Sequence, residues 1–126
     1  MLRWIVIVLF LLLPSAARAD LWADCEQSEP YGRRIQLCTE FIQRQKGDPR
    51  LASAYANRGR AYSAMGEYDL AIADYTRAIE VYLRGSTPTL AGSRAYLNRG
   101  YVYRTEKKEF EKAIADYTKV IEILPK

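Results

Sequence analysis

Two cysteines, Cys25 and Cys38, and two recurring carboxylates, Asp74 and Asp116, are the side chains of this 126-residue chain whose type and spacing most invite chemistry. A thiol nucleophile needs a base beside it, and the sequence has no histidine; no glycine-rich stretch resembles a phosphate cradle either. A metal site would have to rest on oxygen ligands alone. Asp74 and Asp116 each have a cation three residues on, Arg77 and Lys119, the spacing of a solvent-side or intra-helix partner. The expectation is therefore a protein that is not an enzyme, with no catalytic, metal or cofactor site.

The cysteines point instead to a covalent tie. Residues 1–19 join a positive start at Arg3, an apolar run from Trp4 to Leu13 and the triplet Ala17-Arg18-Ala19, which together read as a secretory signal peptide ending before Asp20. The apolar run is short against the roughly 20 residues of a membrane span; an uncleaved anchor is the competing reading. Export would place Cys25 and Cys38 in an oxidising compartment, where a disulfide is expected, with two free buried thiols or a bridge to another chain as alternatives. Removal of Arg3 and Arg18 lowers the basic count from 19 to 17 against 15 acidic residues. A balance near +2 gives no reason to expect a nucleic-acid partner, and no membrane partner is expected after signal cleavage.

The elements that position these groups repeat. Ala71 to Glu80 recurs as Ala113 to Glu122 with eight of ten residues identical at an offset of 42. Ala54-Tyr55-Ala56-Asn57-Arg58-Gly59 and Tyr62 answer Ala95-Tyr96-Leu97-Asn98-Arg99-Gly100 and Tyr103 at an offset of 41, so the turn at Lys107 and Lys108 is one residue longer than the turn at Gly66. Tyr31, Ile35, Thr39 and Ile42 align with Tyr68, Ile72, Thr76 and Ile79, Cys38 standing where Tyr75 stands, which makes the N-terminal helix half a repeat. Periodicity and breakers predict one or two helical turns within Asp20 to Glu29, then helices over Tyr31–Gln45, from Asp48-Pro49 to Met65, over Tyr68–Leu83, from near Pro88 to Thr105 and over Glu109–Leu124. Ser86 and Thr87 are cap candidates, Gly92 is a residue that would weaken or delay a helix start, and Pro125 is a stop. Gly59 and Gly100 leave room for Ala71 and Ala113 to approach, with tyrosines filling the wider spaces. The resulting division is 1–19 signal peptide, 20–47 disulfide-tied half-repeat, 48–85 first full repeat and 88–126 second full repeat.

The series Tyr55, Gly59, Tyr62, Gly66, Tyr68, Ala71, Tyr75, Ala78, with its second copy Tyr96, Gly100, Tyr103, Phe110, Ala113, Tyr117 and Pro125, resembles the tetratricopeptide repeat. The signal followed by Trp22, Cys25 and Cys38 resembles small exported repeat proteins of Gram-negative bacteria, which implies a periplasmic or secreted protein. The copies stand about 41 apart where the family usually has 34, so either longer helices or a projecting loop must absorb about seven residues between Leu83 and Gly92. The resemblance implies an all-α stack of antiparallel hairpins, a short solenoid whose first helices line a shallow groove for a protein or peptide. It nominates Ser53, Ala56, Asn57, Arg60, Ser63 and Ala64, then Arg94, Leu97, Asn98, Tyr101 and Arg104. Asn57, Arg94 and Asn98 partly match the family positions that hold a terminal carboxylate, while Arg60, Tyr101 and Arg104 suit an acidic or aromatic segment. The alternative is a structural or self-associating scaffold in the periplasm, a homo-oligomer formed through an apolar stripe left on the last helix.

Overall fold

The computed structural model describes residues 20–85 and 89–124. The proposed signal at 1–19, the cap candidates Ser86 and Thr87, Pro88 and the stop at Pro125 lie outside the described residues. Six helices follow in order: α1 Leu21–Gln27, α2 Tyr31–Arg44, α3 Leu51–Ala64, α4 Tyr68–Leu83, α5 Thr89–Thr105 and α6 Phe110–Ile123. Asp20 caps α1 by accepting the Ala23 N–H at 3.4 Å, and Pro30 leads into α2.

The sequence puts the start of the third helix at Asp48-Pro49, and the structure moves it to Leu51. Asp48 is spent on the turn before the helix. Its Oδ1 accepts the Arg50 N–H at 2.8 Å, and its carbonyl accepts the Leu51 N–H at 3.0 Å. The same carboxylate is clamped by the Arg50 guanidinium at 3.0 and 2.9 Å, and that pairing holds its pKa below the ordinary value.

Each full hairpin closes on a left-handed residue. Gly66 has φ 79°, and the Glu67 N–H reaches back to the Tyr62 carbonyl at 2.9 Å. Lys108 takes the equivalent place with φ 55°, and the Glu109 N–H reaches the Tyr103 carbonyl at 2.8 Å across one more residue. The extra length between the copies goes into helix. α4 has 16 residues and α5 has 17, against 14 in α3 and α6, so only five residues join α4 to α5.

Consecutive helices pack in antiparallel pairs, α3 on α4 and α5 on α6, and the pairs stack through α2 on α3 and α4 on α5. The first helices also touch, α1 with α3 and α3 with α5, whereas among the described residues α2, α4 and α6 make no contact with one another. Closer spacing on one side bends the stack, so α1, α3 and α5 line its inner face.

Small residues set that spacing. Buried Ala52, Ala56, Ala91 and Ala95 meet the rings of Tyr75 and Tyr96 in the central core, while Cys25, Cys38, Phe41 and Ala54 form a second core at the N-terminal end. A methyl group on Gly59 would stand 2.9 Å from Tyr75 Cε1, and one on Gly100 2.9 Å from Tyr117 Cε1. Gly92 does not delay α5. It lies inside the helix, buried, with the face of Tyr82 laid where a side chain would be.

Gly92→Ala is therefore expected to cost about 1–3 kcal/mol through overpacking, outweighing the roughly 1 kcal/mol that alanine gains over glycine in a helix. A urea titration checks this; a variant as stable as the parent refutes the packing.

Candidate functional site

The two recurring aspartates are buried, not on the solvent side. Asp74 has no exposed surface and Asp116 only 4 %. Arg58 Nε and Nη2 donate to the two Asp74 oxygens at 2.8 Å each, and Arg77 adds a third bond at 2.9 Å. Arg99 Nε and Nη2 donate to Asp116 at 2.9 and 2.7 Å, while Lys119 turns to Glu122. Each arginine uses its remaining Nη1 to reach back one repeat, Arg58 to the Thr39 hydroxyl and Arg99 to the Thr76 hydroxyl, both at 3.0 Å. The hydrogen-bonded carboxylate raises the pKa of both guanidinium groups. These clusters are structural stitches, bidentate within a repeat and bridging to the one before it.

The same clusters decide which cations are left for a ligand. Arg34 is held by Glu29, Arg50 by Asp48, and Arg58 and Arg99 as described. Among the described residues Arg60 and Arg94 have no carboxylate within ion-pair distance, and both are exposed. Asn57 and Asn98 are half-buried, and neither amide makes a side-chain hydrogen bond among the described residues.

These four line one cavity of about 450 Å³ on the inner face, with Ser53, Ala56, Ala91 and Leu97. Trp22 and Glu26 of α1 complete its wall. A second cavity of about 410 Å³ adjoins it through Arg60 and Asn98 and adds Ser63, Ala64, Tyr101, Tyr31, Arg34, Tyr68, Tyr75 and Glu106. Burial pushes the Tyr75 phenol upward, and the Glu106 carboxylate pushes the Tyr68 phenol upward.

Arg104 lines neither cavity; its guanidinium lies 5.6 Å from the centre of the Tyr101 ring. The contributions of α1 and α2 were missed in the sequence, although the half-repeat alignment was the signal for that of α2: a half-repeat stacked on α3 must place Tyr31 at the edge of the inner face. The Arg–Asp stitches also had a sequence signal. Gly59 meets Tyr75, so the residue before the one, Arg58, falls beside the residue before the other, Asp74.

The arrangement presents two unpaired cations, two free amides and aromatic walls in a shallow depression. Among the described residues no group of three or more His, Cys, Asp or Glu side chains could hold a metal ion, and no described helix is long and apolar enough to cross a membrane.

Antiparallel helix pairs stacked with their first helices on a common inner face define an α-helical repeat protein of the short solenoid class. A family model described as Tetratricopeptide repeat matches residues 50–126, more than half of the chain, and the chain belongs to that family. The expected bond between Cys25 and Cys38 is present, and the segment it ties, before residue 50, lies outside the match. No curated protein and no solved structure matches the chain. The fold is one generally associated with protein–protein interaction and not with catalysis.

Proposed function

We propose that this is a non-catalytic binding module that takes a protein or peptide segment in the depression between α1, α3 and α5. The segment carries an acidic group, either an acidic side chain or a free C-terminal carboxylate. One observation carries the reading: Arg60 and Arg94, two guanidinium groups without an ion-pair partner among the described residues, share a cavity with the free amides of Asn57 and Asn98. A carboxylate there would accept charge-assisted bonds from groups that have no competing partner, and Trp22 and Tyr101 would cover its neighbours.

The proposed signal at residues 1–19 and the disulfide together favour a periplasmic or secreted protein, and the resemblance to small exported repeat proteins favours a Gram-negative bacterium as its source. The competing reading, a self-associating scaffold, draws on the apolar residues bare on α6, and light scattering over a concentration series separates them, because only the scaffold must assemble.

Partners captured from a periplasmic extract should be lost from the Arg60→Glu/Arg94→Glu double variant. In direct titration with the captured segment the dissociation constant should rise at least tenfold. Arg104→Glu, outside both cavities, should bind within about twofold of the parent. Binding that survives the double variant sinks the proposal.

A further inference from the structure

Three helices carry the same four-residue series on the face that meets the next repeat. On α2 it is Tyr31, Ile35, Thr39 and Ile42, covered by α3; on α4 it is Tyr68, Ile72, Thr76 and Ile79, covered by α5; on α6 it is Phe110, Ile114, Thr118 and Ile121. Ile79 is 5 % exposed under α5, whereas its counterpart Ile121 is 74 % exposed. Ile114 and Phe110 are bare as well.

The polar groups of the face match in the same way. Thr39, Thr76 and Thr118 all donate their hydroxyl hydrogen to the carbonyl four residues back, at 2.7, 2.8 and 2.8 Å, which leaves each oxygen turned outward as an acceptor. Arg58 fills that acceptor at Thr39 and Arg99 fills it at Thr76. Thr118 has no such donor among the described residues. The repeat that covers α4 delivers a second cation, Lys107, whose Nζ lies 2.8 Å from Asp69. The counterpart of Asp69 on α6 is Glu111, exposed and without an ion-pair partner among the described residues.

We propose that the bare face of α6 is a docking site for an amphipathic helix of another protein, one that sets an arginine against Thr118 and a basic side chain against Glu111. Its contact face carries small residues between the cations, as Ala91 and Ala95 do where α5 lies on α4. The pairings inside the fold are what select this occupant over a second copy of the chain. In a second copy the matching cations are already spent, Arg99 on Thr76 and Asp116 and Lys107 on Asp69. A basic helix of another protein meets Glu111 with opposite charge and fills the hydroxyl acceptor too.

The probe is a helix-stabilised peptide of residues 89–108, the segment that covers α4, titrated into the intact protein by fluorescence anisotropy. Saturable one-to-one binding is expected. Ile121→Asp or Ile114→Asp in the protein, or Arg99→Glu in the peptide, should weaken it at least tenfold. Glu111→Lys in the protein should weaken it severalfold, and Lys107→Glu in the peptide should restore the loss. Circular dichroism verifies that these exposed substitutions leave the fold intact. The proposal is overturned by no saturable binding, by binding that Ile121→Asp leaves unchanged, or by a dimer in sedimentation that Ile121→Asp dissolves.

Discussion

Replacing Arg99 by methionine is expected to remove about 3–5 kcal/mol of folding stability, because it leaves Asp116 buried without its counter-charge. The side chain of Asp116 is 5 % exposed, so water cannot take over the two bonds that Arg99 supplies. The Thr76 hydroxyl loses its donor in the same substitution, and with it one tie between the two full repeats. A domain of this size has a total stability of roughly 5–15 kcal/mol, so the variant should sit near the edge of folding.

Arg58→Met is the internal comparison. Asp74 keeps Arg77 at 2.9 Å, and that loss should be clearly smaller. Changing both partners, Arg99→Met with Asp116→Leu, removes the stranded charge and should recover much of the lost stability. Urea unfolding of the four proteins is the measurement. An Arg99→Met variant within 1 kcal/mol of the parent, or one less affected than Arg58→Met, contradicts the account.

These stitches show which part of the molecule a sequence displays and which part it hides. The hairpins were legible because repetition is written along the chain: Ala71 to Glu80 reappears as Ala113 to Glu122, and glycine and tyrosine fall at fixed offsets. The i+3 neighbours Arg77 and Lys119 were equally visible, and they drew the aspartates to the solvent side. Arg77 does pair with Asp74, but the bidentate partners, Arg58 and Arg99, lie 16 and 17 residues away and become neighbours only when Gly59 and Gly100 seat the facing tyrosines.

Local competition hid the start of α3, since an aspartate before proline caps a helix or closes a turn with the same oxygen. The length excess between the copies was visible, but whether it became loop or helix depended on α5 packing its first turns, Gly92 included, against Tyr82. Of the inner face, the residues on α3 and α5 followed from the repeat pattern. The share of α1 did not, because the spacing within a seven-residue helix shows a turn or two but not which neighbour it packs on, and its place is owed to a covalent bond.

That bond carries the second large expectation. Cys25 and Cys38 are joined across 13 residues of sequence and are both fully buried. Opening a loop of this size by Cys25→Ala/Cys38→Ala should cost about 3 kcal/mol. The loss should fall first on α1, which is too short to hold helical structure in water without its neighbours. Its remaining anchors are Trp22, tilted against Phe41 at 5.3 Å, and the Arg50 guanidinium 5.3 Å from the centres of both rings.

Hydrogen exchange should show residues 21–27 losing protection in the double-alanine variant or under reductant, while residues 68–83 keep theirs. Because Trp22 and Glu26 wall the cavity that holds Arg60 and Arg94, undocking of α1 opens one side of the inner face. Binding at that cavity should weaken together with the protection of α1, even though no cationic or amide group has been altered. If α1 stays protected after the thiols are freed, the aromatic and arginine contacts suffice to hold it, and the disulfide is not what sets the shape of the inner face.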